Sequence, residues 1–323
     1  MSGFVLHIGT HKTGTTALQR TLGAARLPLR THGIVYPSLD PREPGHHMLV
    51  GPWIDRYHDR RATIVLWRGL AKSHAGGKAT LVLSSEEFSR ARPQSVDFTE
   101  LAGLVAGFGQ RTIVCYLRNQ ASYIQSIYLQ VRKRGRTLNF DRFVAACIAE
   151  RFAGGMHLDY GALFARVRAG FAPEEVRFLS YEETSGHPGG LAGHFLTTIG
   201  STVARPPAQR SNVSPSPLAF WVAMRVAAQR AQPGPPATEL VEAAEQAVTD
   251  MVGPGVRTTL FTRTQLRRLH EVYEPLNRAA ENLVGDTGVP LRIAPVALGG
   301  PLVTRDEVDI ARLMVLFTGR AAA

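Results

Sequence analysis

The residues Gly9-Thr10-His11-Lys12-Thr13-Gly14-Thr15-Thr16 have the composition of a phosphate cradle. They lie between a short apolar run, Phe4 to Ile8, and a segment, Gly14 to Leu22, in which Ala17, Leu18 and Leu22 recur at helical spacing. A strand that passes through such a loop into a helix offers an anion unpaired backbone N–H groups and a partial positive charge. Gly14 lets the backbone turn tightly around the anion. Thr15 and Thr16 add hydroxyl donors, and Lys12 adds a full charge at the rim. In a nucleoside triphosphatase loop, Gly-Lys-Ser/Thr follows the first glycine after four intervening residues. Here Gly9 and Gly14 keep that separation, but Thr15 stands in the lysine's place and the lysine has moved into the loop at position 12.

Further downstream, the apolar run Val114-Cys115-Tyr116-Leu117 ends in Arg118, and Ser126 follows eight residues later. If a helix starts near Asn119, Ser126 lies about two turns into it. Arginine suits a phosphate because its planar fork binds in a bidentate manner. Glu86 stands three residues beyond Leu83, the end of another buried run. In a parallel sheet, the polar residues just past a strand face the ligand crevice. His46 and His47 lie in the loop after Tyr36-Pro37. Glu86, His46 and His47 are therefore candidate bases for a hydroxyl group. His11, inside the first loop, either faces an acceptor or fills the turn.

The first loop, with its lysine moved forward, resembles the 5′-phosphosulfate loop of sulfotransferases that use 3′-phosphoadenosine-5′-phosphosulfate (PAPS). The pair Arg118 and Ser126 resembles their 3′-phosphate site. Arg210-Ser211-Asn212-Val213-Ser214 resembles the late Arg-x-Asn-x-Ser loop of bacterial sulfotransferase-like proteins, with Arg210 and Asn212 near the nucleotide. Equally, Ser214 or Ser216 could cap the next helix. Tyr160 to Glu182 resembles the family's mid-domain helix, strand and following Tyr-Glu, and the Tyr-Glu is read as structural. The resemblance runs from residue 4 to about 214. It implies a P-loop-like fold and sulfuryl transfer from PAPS to a hydroxyl acceptor, with adenosine 3′,5′-bisphosphate as product and no metal. Thr10, His11, Lys12, Thr13, Gly14, Thr15 and Thr16 would hold the 5′ end, and Lys12 would also serve catalysis. Family members use either a glutamate or a histidine as base, so the resemblance leaves Glu86, His46 and His47 open.

The elements that must position these residues alternate. Strands are expected at Phe4–Ile8, Ile34–Tyr36, Thr80–Leu83, Thr112–Leu117 and Val176–Leu179. Helices are expected at Gly14–Leu22, Phe98–Phe108, Gln120–Arg132, Phe140–Glu150, Tyr160–Phe171 and Pro188–Ile199, then at 218–231, 238–250 and 264–284. Such alternation predicts an α/β fold, a three-layer parallel sheet flanked by helices and P-loop NTPase-like. The chain reads as a single domain, with an α/β core over 1–215 and a helical C-terminal extension and tail over 216–323. The end, 286–323, gives no clear pattern. The loops 37–75 and 131–158 are expected to build the acceptor pocket.

Composition narrows the function classes. The net charge is +11, with four lysines against 33 arginines, which favours anionic ligands. No nucleic-acid-binding motif is present, so nucleic acid is not the expected partner. Arg132, Lys133, Arg134 and Arg136 form a basic cluster. It is either a solvated helix end or a surface for an anionic acceptor such as an acidic glycan. Cys115 and Cys147 sit in apolar surroundings and read as buried hydrophobes. Apolar runs such as Pro217 to Met224 are too short to span a bilayer. The N-terminus lacks the basic region and cleavage site of a signal peptide, so the expected location is cytoplasmic. Two other readings compete: a small-molecule kinase in which Leu81 to Glu86 forms a magnesium-binding strand, and a non-catalytic module that retains the nucleotide fold.

Overall fold

A computed structural model describes residues 2–136, 138–201, 215–229, 236–297 and 301–320. The chain divides into two compact units. The first comprises Met1–Arg118, Phe152–Ser211 and Pro275–Ala294, and the second Asn119–Arg151, Asn212–Glu274 and Pro295–Ala323. The Arg210–Ser214 motif lies outside the described residues.

The first unit is built on strands β1 (Gly3–His7), β2 (Ile34–Val35), β3 (Thr80–Ser84), β4 (Gln110–Leu117) and, after the two-residue hairpin of β5 (Phe152–Ala153) and β6 (Met156–His157), β7 (Val176–Ser180). The five sheet strands run in the order β2-β3-β1-β4-β7, all parallel. Val5 of β1 pairs in register with Val82 and Thr112. The strand sequences Phe-Val-Leu, Leu-Val-Leu and Ile-Val-Cys-Tyr-Leu do not alternate with polar residues, because both faces of the sheet are covered.

Successive residues instead supply opposite cores. Phe4, Leu6, Leu81, Leu83, Ile113, Cys115 and Phe178 face one side. There they meet Trp67 and Leu70 of α3 (Arg60–His74), Phe98 and Leu101 of α4 (Phe98–Leu104), and Leu163 and Val167 of α7 (Tyr160–Arg168). Val5, Val82, Val114, Tyr116 and Leu179 face the other side, against α1 (Thr15–Ala24), α2 (Arg26–Thr31) and α8 (Gly190–Thr198). This is the three-layer α/β arrangement expected from the alternating elements.

Several segments differ from expectation, among them helix α2, which the sequence pattern did not mark. Residues 60–74, inside the stretch expected to be loop, form the helix α3. Asp59 caps it by accepting from the Ala62 N–H, and Thr63, Trp67 and Leu70 bury one stripe. Ile64, Leu66 and Ala71 flank that stripe half-buried, and the continuous apolar run Ile64 to Trp67 blurs the helical period in the sequence. Helix α4 ends at Leu104 and α7 at Arg168, each short of its expected end.

In the second unit, α5 (Gln120–Lys133) and α6 (Phe140–Glu150) carry aromatic contacts, with Tyr128 and Phe140 centroids 4.8 Å apart. Phe140 also meets Phe261 at 5.0 Å. Helices α9 (Pro217–Gln229), α10 (Thr238–Val252) and the part of α11 (Arg263–Gly285) up to Glu274 follow. The Tyr273 hydroxyl donates to the Cys147 carbonyl at 2.8 Å. The tail contains order that the sequence pattern does not reveal: the strand pair β8 (Arg257–Thr258) and β9 (Leu302–Val303), and helix α12 (Ile310–Arg320).

Candidate active site

The carboxyl ends of β1, β3 and β4 lie side by side, so the residues just past them share one edge of the sheet. Past β1, the loop first stays tied to β4. Ile8 N–H donates to Val114 O at 2.8 Å, and Thr10 donates to Tyr116 O through both its N–H and its hydroxyl, at 3.2 and 3.0 Å. The Thr13 hydroxyl donates to Thr10 O at 2.6 Å. The hydroxyls of Thr10 and Thr13 are thus spent inside the turn, and their side chains are buried.

Lys12 and Gly14 both adopt left-handed backbone, at φ 65° and 74°. For lysine this conformation is strained, and such strain gathers at functional loops. Gly14 is the N-cap of α1, and a Cβ there would lie 2.8 Å from Leu191 Cδ2 and 3.5 Å from Tyr181 Cε2. Glycine is therefore required on two grounds. The result is an exposed Lys12 beside a helix start whose first N–H groups have no intrahelical acceptor. Thr15 is buried and Thr16 exposed in that first turn.

Arg118, past β4, reaches this loop. Its guanidinium donates to the Lys12 carbonyl at 2.9 Å and lies 5.5 Å from the Tyr181 ring centroid. The Tyr160 hydroxyl donates to the Arg118 carbonyl. Tyr181, which follows β7 and whose N–H donates to Leu117 O at 2.7 Å, thereby joins the loop surroundings. The sequence offered only a Tyr-Glu pair after a strand, which carries no chemistry by itself.

A second group lies past β3. Glu86 and Glu87 open a short 3₁₀ turn (Glu86–Ser89) capped by Ser85. The amide of Gln19, on α1, donates to Glu86 Oε2 at 3.0 Å, and His47 Nδ1 lies 4.0 Å from the same oxygen. The Ser85 hydroxyl lies 2.8 Å from His47 Nδ1. Burial opposes ionisation of Glu86, but His11, His47 and Gln19 outweigh it and hold its carboxyl below the ordinary range.

Glu87 is an ion-pair hub: Arg56 and Arg90 approach it at 2.9 and 2.5 Å, and His11 Nε2 at 3.4 Å. Burial would raise its pKa, yet these partners and Tyr57 hold it at about 2. His11 is pushed down to about 4 by burial, against the pull of Glu87 and Glu86, so it is neutral at pH 7. The sequence placed His11 and Glu86 in the site, and it missed Glu87, which His11 meets, as well as Arg90 and Gln19.

His46 differs from the other candidate bases. Ser84 N–H donates to its Nδ1 at 2.9 Å, and its Nε2 donates to Pro37 O at 3.0 Å. Both nitrogens are committed to backbone, the ring is 1% exposed, and burial pushes its pKa down to about 4. This geometry makes His46 a tether between the 37–47 loop and β3.

Ser126 lies half-buried on α5, in the second turn, within the second unit. At the end of the same helix, Arg132, Lys133, Arg134 and Arg136 have no carboxylate partner among the described residues. Lys133 Nζ instead lies 4.8 Å from the Phe220 ring centroid. Cys115 and Cys147 are free and buried. Among the described residues, no group of three or more His, Cys, Asp or Glu is placed to hold a metal ion, and no helix is long and apolar enough to cross a membrane.

No family model matches the chain, and no curated protein matches it. Among solved structures, it is similar to the sulfotransferase from Alicyclobacillus acidocaldarius, with 17% identity over 71% of this chain and 95% of that one and a TM-score of 0.42. It is also similar to the sulfotransferase domain from the curacin biosynthetic pathway, with 12% identity over 65% of this chain and 79% of that one and a TM-score of 0.35.

Proposed function

We propose that this chain is a PAPS-dependent sulfotransferase that transfers a sulfuryl group to a hydroxyl acceptor, with a carbohydrate as the acceptor class. The observation that carries the reading is the loop between β1 and α1. Its lysine precedes the second glycine, both stand in left-handed backbone, and Arg118 is bonded to the lysine's own carbonyl. A triphosphatase needs the lysine after that glycine, where this chain has Thr15.

Sulfuryl transfer makes demands like those of phosphoryl transfer: in-line positioning and charge stabilisation. In the proposed reaction the bond between sulfur and the bridging oxygen of the 5′-phosphosulfate breaks. A bond forms between sulfur and the acceptor oxygen, and the hydroxyl proton passes to Glu86. The N–H groups at the start of α1 hold the 5′-phosphate, and Lys12 neutralises charge on the departing oxygen. Arg118 is assigned to the 3′-phosphate. On the family resemblance alone, Ser126, Arg210 and Asn212 are proposed as donor ligands, each to be tested by its own alanine variant. Glu86 is preferred as base because its carboxyl is held in the ionised form by the nearby histidines, its own N–H and the Gln19 amide, whereas His46 has both nitrogens in use. His47 stands beside Glu86 and is the alternative. Arg132, Lys133, Arg134 and Arg136, with no carboxylate partner among the described residues, favour an anionic acceptor, and the proposed location is the cytoplasm.

A thermal-shift comparison tests the donor class. Adenosine 3′,5′-bisphosphate without metal should raise the melting temperature, by the logarithm of its concentration over Kd. ATP with Mg²⁺ should raise it less. Stabilisation by ATP–Mg²⁺ alone would overturn the sulfotransferase reading in favour of the kinase.

A further inference from the structure

We propose that Gln19 is a positioning residue that ties the general base to the helix holding the donor phosphate, so that one rigid element sets the distance between leaving group and base. The proposal rests on Glu86 being the base. Gln19 is 2% exposed and lies in α1, whose first turn is the proposed phosphate site. It stands four residues after Thr15, about 6 Å along the axis and on the same face. Its Nε2 donates to Glu86 Oε2 at 3.0 Å. Its other amide atom is confined as well: a Cβ on Gly45 would lie 2.8 Å from Gln19 Oε1. The amide is thus wedged between the 37–47 loop and the carboxylate, with little freedom to turn.

Gln19 differs from the other groups that face Glu86. His11 and His47 approach the carboxylate, and His7 and Tyr36 also feel its charge. A histidine lends an anion a full positive charge only while both ring nitrogens are protonated. Burial pushes His11 and His7 down to about 4, so both are neutral where the enzyme would work. An amide donates at every pH. Gln19 and the N–H of Glu86 itself are donors to this carboxylate that do not titrate, and Gln19 is the one carried on α1.

The test replaces Gln19 with Met, which keeps length and volume but removes the donor. Binding of adenosine 3′,5′-bisphosphate, read by thermal shift, should stay within about threefold of wild type, showing that fold and loop survive. The Glu86 carboxyl, followed by ¹³C NMR and assigned with Glu86→Gln, should titrate about one unit higher than in wild type, because a hydrogen bond to the charged form is lost. Release of adenosine 3′,5′-bisphosphate from PAPS, with water or a supplied sugar as acceptor, should fall about tenfold, and its acid limb should move up with the carboxyl. An unmoved carboxyl titration in Gln19→Met overturns the proposal. So does an unmoved acid limb. If Gln19→Met does not fold, Gln19→Leu serves with the same readouts. If Glu86→Gln keeps full turnover, the base assignment fails first and takes the Gln19 role with it, while bisphosphate binding still reports on the donor reading alone.

Discussion

The loop between β1 and α1 and the carboxylate cluster stand at neighbouring strand ends, yet they are built differently. The loop comes from one continuous stretch, residues 9–16, and is shaped mainly by its backbone: two left-handed residues and a helix start. The cluster is assembled from segments far apart in sequence, with His11, Gln19, His47, Glu86, Glu87 and Arg90 meeting through side chains. A backbone site survives side-chain change so long as glycine remains where φ requires it. A side-chain cluster has no such protection, because removing one member leaves its buried partners unsatisfied.

The sharpest break of this comparison pairs Glu86→Gln with Lys12→Ala. Glu86→Gln should lower turnover about 10²–10⁴-fold, the usual share of a general base. Lys12→Ala should lower it about 10²–10³-fold, as for a removed charge-stabilising donor. The two should part in binding: Lys12→Ala weakens adenosine 3′,5′-bisphosphate, whereas Glu86→Gln leaves it unchanged. Calorimetry on both variants checks this, and equal weakening would merge the two regions into one site.

A smaller effect is expected at Arg118. Arg118→Ala should weaken adenosine 3′,5′-bisphosphate by about 1.5–3 kcal/mol, the worth of a charge-assisted hydrogen bond, and adenosine 5′-phosphate much less. Equal losses for the two nucleotides would mean that Arg118 acts only by bracing the Lys12 carbonyl.

The smallest effect concerns stability and pH. His46 in the folded chain is held near 4, below the 6.5 of an exposed ring. As pH falls below 6.5 the unfolded chain gains a proton that the native one refuses, so stability is lost from there down to about 4. Glu87, held at about 2, prolongs the loss from about 4.5 downward. His46→Gln should be the less stable form at pH 7.5, having lost tethering bonds. The gap should narrow by about 2 kcal/mol at pH 4.5, since the variant no longer keeps a buried ring neutral. Urea melts at the two pH values measure this, and a constant gap would show that His46 does not titrate on unfolding.

Much of the frame was legible because it follows from local pattern. Apolar runs bounded by Gly and polar clusters marked all five sheet strands, and helical spacing marked α1, α5, α6 and α9 to α11. Helix α3 escaped because its apolar residues Ile64 to Trp67 run together rather than at helical spacing, although only Thr63, Trp67 and Leu70 are buried. The tail escaped because β8 and β9 are two residues each, held by a partner 45 residues away rather than by their own pattern.

Sequence by itself determined the loop. A strand, a glycine, a helix start and a lysine are local facts, and the backbone geometry they demand is local too. It also supplied the candidates at strand ends, since position after a parallel strand implies the crevice. Tertiary structure alone decided what each candidate touches. It gave His46 to the backbone, set Glu86 against Gln19, and made Glu87 the hub of two arginines. These pairings depend on which strands lie side by side, with β3 beside β1, and on side-chain reach of a few ångströms. A hydrogen bond between residues 67 positions apart has no periodicity to announce it.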